Sequence, residues 1–213
     1  MTRLIRNYGA PLLLAAALIF SMAAGQAAAS AAEARAILET TINQVFDEMK
    51  KPELQNPDER DAVLDRIENI VRSLFSFEEL SMRTVGPAWK NFSADQKKRF
   101  IDAFGDLLRE RYLGSLDGYS GETVSYLGET SSTKGDRVEV QTNIIVDNKP
   151  VPVNYRMLKK DRWLVYDVII EGVSMVQNYR SQFQTVLDKG DAEQLISLVR
   201  DKAAETRAEQ NKK

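Results

Sequence analysis

The sequence predicts an α+β fold in which a curved, four-stranded antiparallel sheet is covered by helices. Three observations favour this class. Apolar residues recur at helical spacing through the first half of the chain, to about Leu116. They then alternate with a period of two in four consecutive segments, and helical spacing returns from about Val173. Helices, then a run of strands, then helices again is typical of α+β domains.

The first residues predict a secretory signal peptide over residues 1–29. Arg3 and Arg6 precede an apolar stretch from Pro11 to Ala24, and small residues with an Ala27-x-Ala29 cleavage pattern follow. The alternative is a membrane anchor, but the stretch is shorter than the roughly 20 residues that a spanning helix needs. The chain has no cysteine, so a lipoprotein is not expected. The protein is therefore expected to be free outside the cytoplasm.

The rest of the chain is expected to form a single domain over residues 30–204, followed by a flexible tail over residues 205–213. The formal net charge is −2, and it becomes −4 when the leader removes Arg3 and Arg6. Nucleic-acid binding is disfavoured, because it needs a basic surface to neutralise phosphates. The lack of cysteine also means that stability must come from core burial without disulfides.

The chain contains no histidine, which excludes several classes of enzyme. Histidine is the commonest general base at neutral pH, a usual zinc ligand and the usual partner of a nucleophilic serine. The sequence also lacks a GxSxG elbow, a P-loop, an HExxH motif and an EF-hand loop. Asp167 and Glu171 form a hypothetical acid–base pair. Most such carboxylates are structural, so neither an enzyme nor a metal site is the leading expectation.

Helical periodicity predicts four helices before the sheet and two after it. In the second helix the polar side is expected to face solvent. Ser76 with Glu79, and Ser93 with Gln96, are capping-box patterns that begin the third and fourth helices. The predicted helices are 31–51, 59–74, 76 to about 86, 93 to about 116, 173–187, and a last one from Asp191.

Four segments with period-two alternation predict the sheet: Thr123 to Glu129, Arg137 to Val146, Val151 to Lys159 and Trp163 to Ile170. Short polar connections make antiparallel neighbours the expectation. In the fourth strand Trp163, Val165, Asp167 and Ile169 alternate with Leu164, Tyr166, Val168 and Ile170. Both faces are largely apolar and need cover. One face can pack on a core and the other can line a cavity.

Several strings of residues, taken in order, resemble a known family. They are Phe75 to Met82, then Val85 to Lys90 with Gln96 and Phe100, then Tyr166-Asp167-Val168, and then Glu171 to Phe183 (EGVSMVQNYRSQF). Their order and spacing resemble the MlaC-type, or toluene-tolerance, family of periplasmic phospholipid-binding proteins of Gram-negative bacteria. The departures are small: Met175 stands where another aliphatic residue is frequent, and Asp161-Arg162 replaces a turn that usually contains glycine.

The resemblance implies a deep apolar cavity between sheet and helices that holds the acyl chains of a glycerophospholipid. It implies a periplasmic carrier that shuttles phospholipid between outer and inner membrane, for an ABC transport system that maintains outer-membrane lipid asymmetry. The implied partners are an outer-membrane lipoprotein–porin complex and an inner-membrane ABC transporter complex with an MCE-domain subunit. Lipid is the cargo, and no cofactor is expected.

Position along the predicted elements suggests which residues line the cavity. The predicted lipid-binding residues are Phe104, Leu108, Tyr112, Ile144, Val153, Tyr155, Val165, Tyr166, Val173 and Val176. A core stripe and a cavity lining have the same periodicity, so some of these are expected to be plain core. Two alternatives stay open: a small-molecule enzyme that uses a carboxylate or a tyrosine, and a periplasmic assembly protein with a filled core.

Overall fold

The structure is a computed structural model that describes residues 10–113 and 121–210, with side chains from residue 28 onwards. The predicted signal peptide therefore lies mostly outside the described side chains, as do the predicted end of the long helix at residues 114–116 and the last three residues of the chain. Within the described residues, no helix is both long enough and apolar enough to cross a membrane.

The described residues form six α-helices and one antiparallel sheet, which confirms the predicted α+β fold. The helices are α1 (Ala10–Met49), α2 (Arg60–Leu74), α3 (Phe77–Val85), α4 (Ala94–Leu108), α5 (Met175–Leu187) and α6 (Ala192–Gln210). Short 3₁₀ helices cover Pro52–Gln55 and Gly86–Asn91, and a π-helical segment, Arg109–Leu113, continues α4. The strands are β1 (Thr123–Ser131), β2 (Arg137–Val146), β3 (Lys149–Lys159), β4 (Trp163–Ile170) and β5 (Val173–Ser174), side by side in chain order.

In the described chain the sheet has five strands where the sequence predicts four. The extra strand arises at Glu171-Gly172, where both residues have positive φ (49° and 83°). Two successive positive φ angles give a tight hairpin turn. The turn lets Val173 and Ser174 pair with β4 before helix α5 begins at Met175. The predicted start of that helix at Val173 is therefore two residues early.

The capping patterns in the sequence begin the helices as predicted. At α4 the box is complete, because Gln96 N donates to Ser93 Oγ (3.1 Å) and Ser93 N donates to Gln96 Oε1 (2.9 Å). At α3 only half of the box forms. Glu79 N donates to Ser76 Oγ (3.3 Å), while the Glu79 carboxylate accepts from Arg83 instead. Each cap satisfies backbone N–H groups that the helix itself leaves unbonded.

Strand β4 does not alternate as the sequence predicts, because it contains a β-bulge. Arg156 of β3 pairs with Asp167. The next residue, Met157, pairs with Val165, so Tyr166 is an extra residue in β4. Val165 and Asp167, on the two sides of the extra residue, therefore pair with successive residues of β3 and face opposite sides of the sheet. The residues of β4 that share the inward face are Trp163, Val165, Val168 and Ile170.

The described residues hold two separate apolar clusters. The main core lies between the sheet and the helices and includes residues of all six α-helices. It contains a set of contacting rings with centroids 5.0 to 5.8 Å apart: Phe100, Phe104, Tyr179 and Phe183. The smaller cluster belongs to the end of α1, the following 3₁₀ helix and α2, with Met49, Leu54, Val63, Leu64 and Ile67. The region where the two clusters meet is not completely filled.

Candidate functional site

A cavity of about 300 Å³ lies where the two apolar clusters meet. This volume is at the lower end of the range for small-molecule pockets, about 300–1,000 Å³. Residues of α1, α2, α4 and strands β2 to β4 contribute to its wall, with residues at the starts of α3 and α5. The lining residues are Thr41, Ile42, Val45 and Phe46 of α1; Glu68, Val71, Arg72 and Leu74 of α2; Phe75 and Phe77; Gly105, Leu108, Arg109, Tyr112 and Leu113 of α4 and its π-helical extension; and Ile144, Tyr155, Val168, Ile170 and Met175.

The sheet presents one face to the cavity because of its register. Tyr155 of β3 lies opposite Val168 of β4, and Val153 lies opposite Ile170. Directly paired residues point to the same side of a sheet. Further along β4, beyond the bulge, the same face packs into the main core through Val165. One sheet face therefore forms both a core wall and a cavity wall.

Tyr155, on the sheet side of the cavity wall, is an uncharged residue. Removal from water raises the pKa of Tyr155 well above that of an exposed tyrosine, and the neighbouring Tyr126 adds to this shift. A tyrosine is already neutral at neutral pH, and the low-dielectric site disfavours its phenolate form further. The sheet side of the cavity is therefore uncharged.

The charged side chains of the cavity wall form one connected group at α2 and the π-helical segment. Arg72 Nε donates to Glu68 Oε1 (2.6 Å), and Arg109 Nε donates to the other oxygen of the same carboxylate. Arg109 also donates to Asp65 (2.7 Å) and Glu110 (3.3 Å). Burial opposes the charge of Arg109, but these hydrogen bonds outweigh it and raise its pKa. The wall thus has an uncharged sheet side, and its three charged residues lie on the helix side among apolar ones.

The structure brings four of the ten predicted lipid-binding residues together at the cavity: Leu108, Tyr112, Ile144 and Tyr155. Four others are buried in the main core: Phe104, Val153, Val165 and Val176. Tyr166 is the bulge residue, and the Arg83 guanidinium lies over its ring at 4.2 Å. Val173 is 61% exposed in β5. Core and cavity residues share one periodicity, so position in an element does not separate them.

The charged part of the lining was not predicted from the sequence. Glu68 and Arg72 lie on the polar side of α2, which the sequence places in solvent; Arg72 is indeed exposed and Glu68 is half-buried, and both also border the cavity. No local pattern signals that a polar helix face borders a cavity. By contrast, the α1 residues of the wall, such as Ile42 and Val45, belong to an apolar stripe that is visible in the sequence.

The hypothetical acid–base pair does not face the cavity. Asp167 is 3% exposed and accepts hydrogen bonds from Ser174 Oγ (2.7 Å), Val176 N (3.0 Å) and Arg156 Nη1 (3.2 Å). It thereby helps to cap the first turn of α5. Glu171 is exposed in the β4–β5 turn. Among the described residues, no group of three or more metal-binding side chains comes together.

The fold and the cavity together place this protein in the class of α+β proteins in which helices cover an antiparallel sheet and an apolar cavity lies beneath it. Comparison with known sequences is more specific. The family model described as MlaC protein matches residues 39–201, and the chain belongs to this family. The match covers α2 to α5 completely and about half of α6.

Two relatives illustrate the likeness. The intermembrane phospholipid transport system binding protein MlaC of Haemophilus influenzae is 21% identical over 174 residues, which cover 79% of this chain and 81% of that protein. A phospholipid-binding protein from Ralstonia solanacearum, solved in complex with a phospholipid, superposes with a TM-score of 0.73 at 24% identity. The superposition covers 82% of this chain and 98% of that one. The second likeness shows a shared fold.

Proposed function

We propose that this protein is a periplasmic phospholipid carrier, which shuttles glycerophospholipids between the outer and inner membranes for an ABC transport system that maintains outer-membrane lipid asymmetry. The observation that carries the proposal is the cavity, whose sheet side is apolar and uncharged. Family membership supports it, and so do the phospholipid named for the Ralstonia solanacearum structure and the transport system named for the Haemophilus influenzae relative.

The energetics of acyl chains explain why such a carrier needs a cavity. At roughly 0.8 kcal/mol per methylene, exposing a chain of about sixteen carbons to water costs on the order of 12 kcal/mol. Free diffusion between membranes is therefore negligible. A protein cavity replaces water with apolar side chains and removes most of this cost. Because membrane and cavity are both apolar, the transfer is nearly balanced, and a partner must supply any net driving force.

The acyl chains are proposed to contact the four predicted residues that line the cavity, together with its other apolar residues. Leu108 and Tyr112 form the helix side, and Ile144 and Tyr155 form the sheet side. The buried residues Val153 and Val165 support the sheet side from the adjoining core. In this proposal the protein binds lipid as cargo, uses no cofactor and catalyses no reaction.

The proposal includes a location and partners. The leader over residues 1–29 directs export, the single domain over residues 30–204 binds lipid, and residues 205–213 form the tail. The carrier collects and delivers lipid at an outer-membrane lipoprotein–porin complex and at an inner-membrane ABC transporter complex with an MCE-domain subunit. These partners follow from the family, and they supply the direction that a passive cavity lacks.

Native mass spectrometry tests the proposal directly. The protein is expressed with its leader, purified from a Gram-negative periplasm without detergent, and measured before and after denaturing extraction. We expect a stoichiometric adduct that extraction identifies as phospholipid. A protein that carries no lipid, and that takes up none from phospholipid vesicles, would contradict the carrier function and favour a filled-core or enzymatic alternative.

A further inference from the structure

The π-helical segment Arg109–Leu113 follows α4 and forms part of the cavity wall through Arg109, Tyr112 and Leu113. π-Helical turns are rare, and they occur frequently at functional sites. Successive side chains of this segment reach different elements of the fold. Arg109 bonds to carboxylates of α2, and Tyr112 is hydrogen-bonded to Tyr179 of α5. The position of this part of the wall therefore depends on bonds to other elements.

Glu110 is the buried charged residue of the segment, with 4% of its surface exposed. Arg207 of α6 donates to Glu110 Oε1 through both Nε (3.0 Å) and Nη2 (2.5 Å). Gln210, about one turn further along α6, donates to the backbone oxygen of Glu110. Arg109 adds a longer bond to the same carboxylate, at 3.3 Å. Because a buried charge needs a partner, the end of α6 is what makes this position of Glu110 stable.

The contact between α6 and the π-helical segment is polar, whereas the rest of α6 is fixed by apolar packing. Leu195, Ile196, Val199 and Ala203 of α6 are buried in the main core. Beyond Ala203, no residue of the described part of the helix is buried. Hydrogen bonds to a partly exposed arginine can break and reform without disturbing the apolar core. The end of α6 is therefore a place where the fold can open locally.

We propose that Glu110, Arg207 and Gln210 form a C-terminal clamp, which holds the π-helical segment in the cavity wall and controls how fast the cavity releases its ligand. With the clamp closed, Tyr112 and Leu113 complete the wall. With the clamp open, the segment loses its bonds to α6 and the wall loosens. Arg207 is a positioning residue, because it acts through Glu110 and does not itself line the cavity. The inference rests on the proposed carrier function and adds a control of release.

The release of a fluorescent lipid measures the effect of the clamp. The full-length secreted protein is loaded with phosphatidylglycerol that carries a pyrene-labelled acyl chain, and it is then mixed with excess phosphatidylcholine vesicles. The release rate is the first-order rate constant in the range where it no longer depends on vesicle concentration. The variants are Arg207→Gln, which breaks the ion pair with Glu110, and Arg207→Lys, which keeps a cation at this position.

Glu193→Gln is a matched control at the other end of α6. Like Arg207, Glu193 forms an ion pair that joins α6 to the chain of α4, here with Arg99. Neither Glu193 nor Arg99 lines the cavity. A general loosening of α6 would lower the melting temperature and change the release rate in both variants. Loss of the clamp would change the release rate in Arg207→Gln alone.

We expect Arg207→Gln to release lipid about tenfold faster than the wild type, the scale of one charged hydrogen bond. Arg207→Lys should lie between the two, and Glu193→Gln should release lipid at the wild-type rate although it also lowers the melting temperature. The double variant Glu110→Gln/Arg207→Gln should be no faster than Arg207→Gln, because both changes break the same pair. An unchanged rate in Arg207→Gln, or an equal rise in Glu193→Gln, would overturn the clamp.

Hydrogen exchange followed by mass spectrometry tests the clamp without a ligand. In the lipid-free protein, the backbone amides of residues 109–113 should exchange faster in Arg207→Gln than in the wild type or in Glu193→Gln. Unchanged protection of this segment in Arg207→Gln would overturn the clamp even when the protein carries lipid. A wild type that takes up no lipid would instead overturn the carrier function, and the control of release with it.

Discussion

Ile144 and Val165 both point inward from the sheet, yet they have different surroundings. Val165 is fully buried in the main core, where contacting side chains leave no space. Ile144 is partly buried, and its side chain borders the cavity. Packed interiors respond to an added group with strain, whereas an open volume accepts it. A single large substitution therefore distinguishes the two positions.

Ile144→Trp should block the cavity without unfolding the protein. The indole occupies the volume assigned to an acyl chain, so copurified lipid should fall sharply. The free energy of unfolding should stay unchanged or rise by about 0.5–2 kcal/mol, the range for cavity-filling substitutions. Lipid extraction and denaturant unfolding measure the two effects. Val165→Trp is the contrast, because overpacking should cost about 1–3 kcal/mol. Equal destabilisation by both substitutions would mean that Ile144 borders a packed core.

An ion-pair cluster joins two helices that are far apart in the chain, α4 and α6. Arg99 of α4 donates to both oxygens of Glu193, at 2.6 and 2.8 Å, and Gln96 Nε2 donates to one of them at 3.0 Å. The hydrogen bonds from Arg99, and then that from Gln96, lower the pKa of Glu193 to about 2. Gln96 thus caps α4 with one end of its amide and holds α6 with the other.

Glu193→Gln should remove an acid-dependent part of the stability. Because the folded state lowers this pKa below its unfolded value of 4.5, folding is favoured above pH 4.5, and this contribution is lost as the pH falls toward 2. The melting-temperature difference between wild type and variant should therefore be largest near neutral pH and vanish near pH 2. Glu209→Gln, an exposed change on the same helix, should show no such trend. A melting-temperature difference that does not vary with pH would contradict a contribution from the ionised Glu193 carboxylate.

The elements were predictable where one local pattern determines them. The second and fourth strands have the predicted bounds, Arg137–Val146 and Trp163–Ile170, because period-two alternation marks them and short turns end them. The bulge at Tyr166 was not predictable, since it depends on how β3 pairs with β4. Nor does a local pattern signal the π-helical segment after Leu108, where the sequence continues the apolar stripe of a regular helix.

The site was predictable only in its apolar half. Leu108, Ile144 and Tyr155 follow from the inward faces of their elements, but the same reasoning selects Phe104 and Val153, which fill the core. Which inward residue meets open volume depends on packing between distant elements, and no sequence window contains that information. Arg72 was missed for the same reason, because its neighbour Gly105 lies on another helix.

The whole molecule has two apolar clusters in its described part, and the cavity lies between them. The larger cluster joins the sheet to residues of all six α-helices, and the smaller one belongs to α2, the end of α1 and the 3₁₀ helix Pro52–Gln55. A ligand in the cavity contacts residues next to both clusters, including Phe46 on one side and Val168 on the other. In the proposed carrier, lipid therefore adds contacts across the boundary between the clusters and binds the folded state.

Bound lipid should stabilise the folded protein by mass action. At a free lipid concentration one hundred times the dissociation constant, the expected gain is about 2.7 kcal/mol. Calorimetry of lipid-loaded and lipid-free protein should show a higher melting temperature for the loaded form. The Ile144→Trp variant is the control, since it should melt at the same temperature before and after lipid stripping. Equal melting temperatures for the lipid-loaded and the lipid-free wild type would mean that the lipid does not bind in the cavity of the folded protein.

The bulge at Tyr166 shifts the side-chain alternation of strand β4 by one residue. One additional residue changes the phase of everything beyond it, so Val168 and Ile170 face the cavity while Asp167 turns away to hold the start of α5. Regular pairing of the same residues, without the bulge, would reverse the pattern. It would direct the Asp167 carboxylate into the compartment proposed for acyl chains and leave the start of α5 without its cap. Deletion of Tyr166 would instead leave Val165 and Val168 two positions apart, on the inward face that they already share.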